Sequence, residues 1–399
     1  MSATLLMNAR LDGADVLTDV HVVDGSIRAI GPTDTARSGP EVIDLDGRLL
    51  VPAAVEPHAH LDKAFLAERI ANPTGDLMGA VEAMAANRHL TTVDDIAERA
   101  ERAARLMAHN GYVAVRTHVD VTLENGLCSV EALTAVRDQL RDLISIEIVA
   151  LAGWPVTGIA GADQRALLRA AMGAGADVVG GCPHLDDDLG AATDVLLGVA
   201  TDFGVGVDLH TDETLDPTVD GLSELCRAVL AGFAHSATAS HCVSLGQRSH
   251  VDQQRVAELV AEAGVNIVTL PQTNLFLLGR GRAPMPRGLT AVAALQKAGV
   301  TVAAGADNLQ DPFNPVGRAC PFETAGLMIM AAHLTPQEAW RTVSAAPACV
   351  LGLRSPAIAV GAPAHLIAVR AGTLREAIAF GPADRLRLRF GRPIGEIQS

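Results

Sequence analysis

Between residues 49 and 304 the chain alternates short apolar runs with longer amphipathic stretches. The apolar runs span 49–55, 112–116, 144–150, 177–180, 205–209, 237–240, 265–270 and 300–304. Their length and their turn-forming borders fit buried strands. The stretches at 93–107, 129–143, 164–172, 191–203, 220–231, 254–263 and 290–298 carry apolar residues at helical spacing. Gly111, Gly175, Gly204, Gly264 and Gly299 follow several of them, where a helix takes its left-handed cap. Eight strand and helix alternations predict an α/β fold, a (β/α)8 TIM barrel.

The two ends have a different texture. Residues 4–8, 19–23, 26–30 and 41–44 read as short strands, with Asp24-Gly25 as a hairpin signal and Gly31-Pro32 as a break. Residues 364–369, 377–380 and 385–390 return to the same pattern. The expected organisation is a small β-sandwich domain built from 1–50 and 353–399, beside a catalytic barrel at 51–352.

A net charge of -15 gives no electrostatic support to a nucleic-acid or anionic-membrane partner. Six scattered cysteines without a C-x-x-C pair fit reduced thiols. No basic leader precedes an apolar run, and no apolar stretch is long enough to span a bilayer. A cytoplasmic enzyme is the expectation.

Polar residues collect just after the expected strands, where a barrel of this kind carries its active site. His58 and His60 follow the first strand and, two apart, share a face. Arg116-Thr117-His118-Val119-Asp120 follows the second, and Pro183-His184-Leu185-Asp186 the fourth. His210 and Glu213 follow the fifth, His241 the sixth, and Asp307-Asn308 the eighth. Imidazole and carboxylate donors converging on a barrel axis suit zinc or iron. The remaining histidines fall outside this order and read as ordinary core or surface residues.

This ordered set resembles the amidohydrolase superfamily, and within it the cytosine deaminase-like branch. The family's His-x-His motif is matched inside Glu56-Pro57-His58-Ala59-His60-Leu61-Asp62-Lys63. Its fifth-strand histidine and the glutamate three residues later match His210 and Glu213; its sixth-strand histidine and eighth-strand aspartate match His241 and Asp307. The resemblance runs from about Leu49 to Gly352. It implies that His58, His60, His210 and Asp307 hold a divalent metal and that hydroxide attacks an electron-poor carbon bonded to nitrogen. Asp307 and His241 then orient the water and take its proton, and Glu213 shuttles a proton to the ring nitrogen and the leaving amine. His118, Asp120 and His184 hold the ligands in place or form a polar rim. Binuclear relatives carry a bridging lysine at the fourth strand, where this chain has Val178-Val179-Gly180-Gly181. One metal ion per chain is therefore implied, zinc or iron.

The chain departs from cytosine deaminases after the third strand, where their pyrimidine-reading glutamine is replaced by Gly153-Trp154-Pro155. The second aspartate after the metal-binding one is here Asn308, as in N-isopropylammelide aminohydrolase-type enzymes. Losing a polar reader redirects specificity. Trp154, Gln272, Asn274 and Asn308 are the candidate substrate contacts, Trp154 either stacking on a heterocycle or packing in a barrel layer. The expected activity is hydrolytic removal of an amine from an amino-substituted nitrogen heterocycle, a small-molecule substrate. Alternatives are ring-opening of a cyclic amide, release of an alkylamine from a triazine, or a non-catalytic metal-binding scaffold. Retention of both Glu213 and His241 argues against the scaffold. Barrels of this class often associate, which allows a homo-oligomer.

Overall fold

The computed structural model describes residues 3–32 and 41–394; the remaining ends and 33–40 of the expected small domain lie outside the described residues. Eight parallel strands follow one another around a barrel in sequence order: Ala54–Ala59, Tyr112–Val121, Ser145–Ala152, Val178–Gly180, Val207–Thr211, Ala237–His241, Asn266–Thr269 and Val302–Ala304. Val119, Ile148, Leu209 and Ile267 face outward and share one continuous apolar core with Ile96, Leu133, Leu196 and Val256 of the surrounding helices. The barrel thus has a dry outer layer, and the polar residues of the strands are left for its axis.

The first and last strands meet at a thin seam. A single bridge pairs Ala59 with Asp307, and Asp307 N donates to His58 O at 3.1 Å. The buried Glu56 carboxylate reinforces it, accepting from Ala306 N at 3.1 Å and from His58 N at 3.2 Å. Side-chain acceptors here stand in for ladder bonds that two short strands do not make.

The apolar run 49–55 is two strands, not one. Leu49–Pro52 pairs antiparallel with Leu366–Val369 in a peripheral sheet, and the chain turns at Ala53 before Ala54–Ala59 enters the barrel. Both halves are buried on both faces, so composition carries no mark of the change of sheet. Two four-stranded sheets, one of Ala3–Ala9, Thr18–Val23, Ser26–Ile30 and Glu41–Asp44, the other of Leu49–Pro52, Leu366–Val369, Arg385–Arg389 and Arg392–Pro393, make up the small domain. Leu6, Val20 and Ile27 meet Leu50, Leu366 and Leu388 in its own core. Asp24 and Gly25 both have positive φ (47° and 75°), as a two-residue hairpin of type I′ requires.

The segment 377–380, expected as strand, belongs to a helix, Leu374–Phe380. Thr373 caps it by accepting from Glu376 N, and Gly381 ends it with a φ of 52°. These cap residues outweigh the short apolar run between them. Among the described residues no helix is long and apolar enough to cross a membrane.

Candidate active site and metal centre

The barrel strands extend further than their apolar runs, because their final residues are polar and face the axis. His58 lies inside the first strand, Arg116, His118 and Asp120 inside the second, His210 inside the fifth and His241 at the end of the sixth. His241 and Asp307 sit in left-handed backbone, with φ of 70° and 63°. For residues with a Cβ that conformation costs of order 1 kcal/mol and is held only where surrounding structure imposes it, most often at functional sites.

The sequence-selected donors do come together. His60 Nε2 lies 3.3 Å from His210 Nε2 and 3.3 Å from Asp307 Oδ1, and His58 Nε2 lies 3.7 Å from the same oxygen. All four residues are buried. Burial, followed by the charge of neighbouring histidines or Lys63, keeps His58, His60 and His210 well below the usual imidazole range, so these rings are neutral. Neutral imidazole is the form that binds a cation. His58 Nε2 and both Asp307 oxygens have no hydrogen-bond partner among the described residues. Buried polar atoms are rarely left so, and here they point at one another. A nitrogen and oxygen set of this kind fits a divalent cation.

The far sides of the His58 and His60 rings are engaged, whereas His210 Nδ1 has no partner among the described residues. His60 Nδ1 is 3.0 Å from the carbonyl oxygen of His118, an obligate acceptor, so Nδ1 carries the proton and Nε2 offers its lone pair. Lys63 Nζ, 3.2 Å from the same Nδ1, is therefore a second donor and not its partner. His118 is fully buried and stacks on His58, with ring centroids 3.8 Å apart. His184 Nδ1 bonds the carbonyl oxygen of His210 at 3.1 Å and its ring lines the cavity, where burial pushes it down to about 4.

Beside this cluster, Glu213 and His241 are joined by one amide. Asn274 Nδ2 lies 3.0 Å from Glu213 Oε1 and 3.0 Å from His241 Nδ1. Asn274 is itself fully buried and does not line the cavity, so it holds these two groups and does not read substrate. Burial, and then the nearby Asp307, pushes the Glu213 carboxyl well above its ordinary range. Burial pushes His241 down to about 4, which removes it as a strong proton acceptor. With the amide in this orientation His241 Nδ1 accepts, and its proton sits on Nε2.

A cavity of about 430 Å³ opens over His60, His210, Glu213, His241 and Asp307. That volume is in the range of small-molecule sites. Its walls are apolar toward the outside, with Leu77, Val81 and Met84 from the helix Leu77–Ala86 on one side and Leu123 and Trp154 on another. Trp154 is 39% exposed at this rim and is not packed in a barrel layer. Asn308 lines the cavity, donating to Asp311 Oδ2 at 2.9 Å. Gln272 points elsewhere, donating to Thr324 Oγ1 at 2.7 Å, and the cavity residue on that turn is Thr273. Gln272 and Asn274 flank Thr273 on a helix, so neither shares its face.

Several site residues were not selected from sequence. Lys63 is buried in the cavity wall and pairs with Asp120 at 2.7 Å, with Asp62 at 3.8 Å. Burial works against its charge, but the two carboxylates hold its pKa above the usual lysine range. Its position directly after the His-x-His motif, in a chain with two lysines, was the available signal. Asp208 and Ser240, each on a strand beside a site histidine, lie behind His58. Asp208 stands two residues before His210 and so shares its inward face, a signal that period-two reading contains.

The amidohydrolase family model matches residues 66–390. The chain belongs to the amidohydrolase family. It is thus a hydrolase of C–N bonds other than peptide bonds. It is 35% identical over 385 residues to a pterin deaminase of Rhizobium rhizogenes, spanning 94% of this chain and 87% of that one. It is 25% identical to the N-isopropylammelide isopropyl amidohydrolase of a Pseudomonas species, over 91% of this chain and 90% of the other. Among solved structures, 5-methylcytosine deaminase from Klebsiella pneumoniae superimposes with a TM-score of 0.88 at 30% identity, covering 99% of this chain and 98% of that chain.

Proposed function

We propose that this amidohydrolase hydrolytically removes the exocyclic amino group of a bicyclic nitrogen heterocycle of the pterin kind, using one divalent metal ion, zinc or iron. The observation that carries the reading is the cluster in which His60 Nε2 approaches both His210 Nε2 and Asp307 Oδ1 and His58 Nε2 faces the same oxygen, with Glu213 lining the one cavity above it. The first four residues would hold the ion, which supplies Lewis acidity and brings the pKa of water toward neutrality.

The protein's own groups divide the remaining work. Glu213 Oε1 is occupied by Asn274, which leaves Oε2 for the substrate. Protonated, it delivers a proton to the ring nitrogen beside the reacting carbon; the carboxylate so formed takes up a proton from the hydroxyl added to that carbon and passes it to the leaving amine as the C–N bond breaks. His241 serves as a neutral donor from Nε2, holding developing negative charge on oxygen. In this reading Asp307, whose two oxygens have no hydrogen-bond partner among the described residues, takes the proton from water, a role the resemblance gives to Asp307 and His241 together.

Support for the substrate class comes from the pterin deaminase relative and from the cavity, whose Trp154 rim offers a flat apolar surface to a second ring. The test is ammonia release from metal-loaded protein with pterins, aminopyrimidines, aminotriazines and aminopurines, with Glu213→Gln as control. Turnover of a pterin, lost in the control, supports the reading. Turnover confined to single rings overturns the bicyclic assignment, and silence with every aminated ring overturns deamination. The apolar outer walls and Asn308 favour a second reading, release of an alkylamine, which the same assay detects as amine instead of ammonia.

A further inference from the structure

Behind His58, on the side away from the other candidate ligands, three polar residues form a chain of definite direction. His58 Nδ1 lies 2.9 Å from Ser240 Oγ. Ser240 Oγ lies 2.8 Å from Asp208 Oδ1. Asp208 Oδ2 accepts from Arg116 Nη1 at 2.8 Å. His58, Ser240, Asp208 and Arg116 are all buried, so the chain of contacts is shielded from bulk solvent.

Each group constrains the next. Arg116 has only donors and is always charged, which fixes Asp208 as an acceptor. Its other nitrogens are held by Glu147 Oε2 at 2.5 Å and by the carbonyl oxygen of Val350 at 3.4 Å, so the guanidinium cannot turn away. A hydroxyl has one hydrogen. If Ser240 gave it to His58, its oxygen would face the Asp208 carboxylate with no proton between them. It goes to Asp208, and Ser240 Oγ then accepts from His58 Nδ1.

We propose that Arg116, Asp208 and Ser240 are positioning residues that lock His58 in the Nδ1-protonated form and present its Nε2 lone pair to the metal. This rests on the reading of His58 as a ligand. The lock exists before any ion arrives. Stacking of His118 on the His58 ring, with 23° between planes, fixes the ring orientation that the lone pair needs. Partners of this kind typically change metal affinity by 10–100-fold when removed.

The test is zinc affinity by competition with a chromogenic chelator, alongside the melting temperature of metal-free protein. Ser240→Ala should fold with a lowered melting temperature, because His58 Nδ1 and Asp208 Oδ1 lose a buried partner, and should weaken zinc binding about 10–100-fold, with Ser240→Thr restoring both. Ser240→Ala binding zinc as tightly as the unmodified chain overturns the relay and leaves the ligand assignment standing. An unmodified chain that does not bind zinc or iron(II) overturns the assignment itself. Should Ser240→Ala fail to fold, nitrogen chemical shifts of histidine-labelled, metal-free unmodified protein decide the matter, with His58→Gln supplying the assignment. Protonation at Nδ1 supports the relay, and protonation at Nε2 overturns it.

Discussion

Lys63 Nζ lies 2.7 Å from Asp120 Oδ1, and this ion pair forms part of the wall of the catalytic cavity. The lysine side chain is 5% exposed and the aspartate 27%, so the pair is only partly screened. Lys63→Met strands Asp120 and the buried Asp62. Breaking a fully buried pair costs 3–5 kcal/mol, and with Asp120 partly wet a loss of about 2 kcal/mol is expected. Adding Asp120→Asn should recover part of that loss. A double-mutant cycle by urea denaturation measures the coupling, and strictly additive effects would show that the contact contributes nothing.

Glu213 is the group whose loss should separate chemistry from metal binding. Glu213→Gln retains volume and an acceptor for Asn274 but has no proton to deliver. Turnover should fall about 10²–10⁴-fold with metal content unchanged. Elemental analysis beside the rate assay checks both halves, and metal loss in the variant would reassign Glu213 to holding the site together.

Trp154 stands at the cavity rim, where the proposed function gives it contact with the substrate's ring and not with the reacting carbon. Trp154→Ala should raise KM about tenfold, the equivalent of ~1.4 kcal/mol of ring stacking, with kcat nearly constant. A matching fall in kcat would mean that the indole positions the ring for reaction. No change in either constant would remove it from the site.

His365 gives the small domain a pH dependence. Burial, and then Arg389, depresses its pKa from 6.5 to about 4, and its Nδ1 accepts from Phe390 N at 3.3 Å. A folded-state value below the unfolded one means that unfolding takes up a proton as acidity rises. The stabilising contribution is complete above pH 6.5 and is lost as pH falls toward about 4. His365→Gln should therefore flatten the decline of urea midpoints between pH 7 and pH 4.5. An unchanged slope would place the acid sensitivity elsewhere.

The barrel was legible from sequence because its strands bury both faces and read as apolar runs. Their ends were not, because Arg116, His118, Asp120 and His210 continue the strands as inward polar residues, and polarity there resembles a loop. The His-x-His pair, His210, His241 and Asp307 could be placed because each falls at the same end of its strand. Lys63, Asp208 and Ser240 receive no site role from sequence because their meaning depends on which neighbour they face. Gln272 and Asn274 read as substrate contacts because they carry amides and follow the seventh strand. A single helical turn decides otherwise, sending one toward Thr324 and the other beneath Glu213 and His241.

The seam held by Glu56 ties the assembly of the site to the order in which the chain folds. Glu56 and Ala306 are 250 residues apart in sequence, and on either side of their contact stand His58 and Asp307. The donor set is complete only when the last strand docks on the first, so no partly wound intermediate can hold the ion with its full complement. Metal affinity then reports barrel closure itself, and a fragment ending before Val302 would carry three of the four donors and only the Glu56 half of the clasp that aligns them.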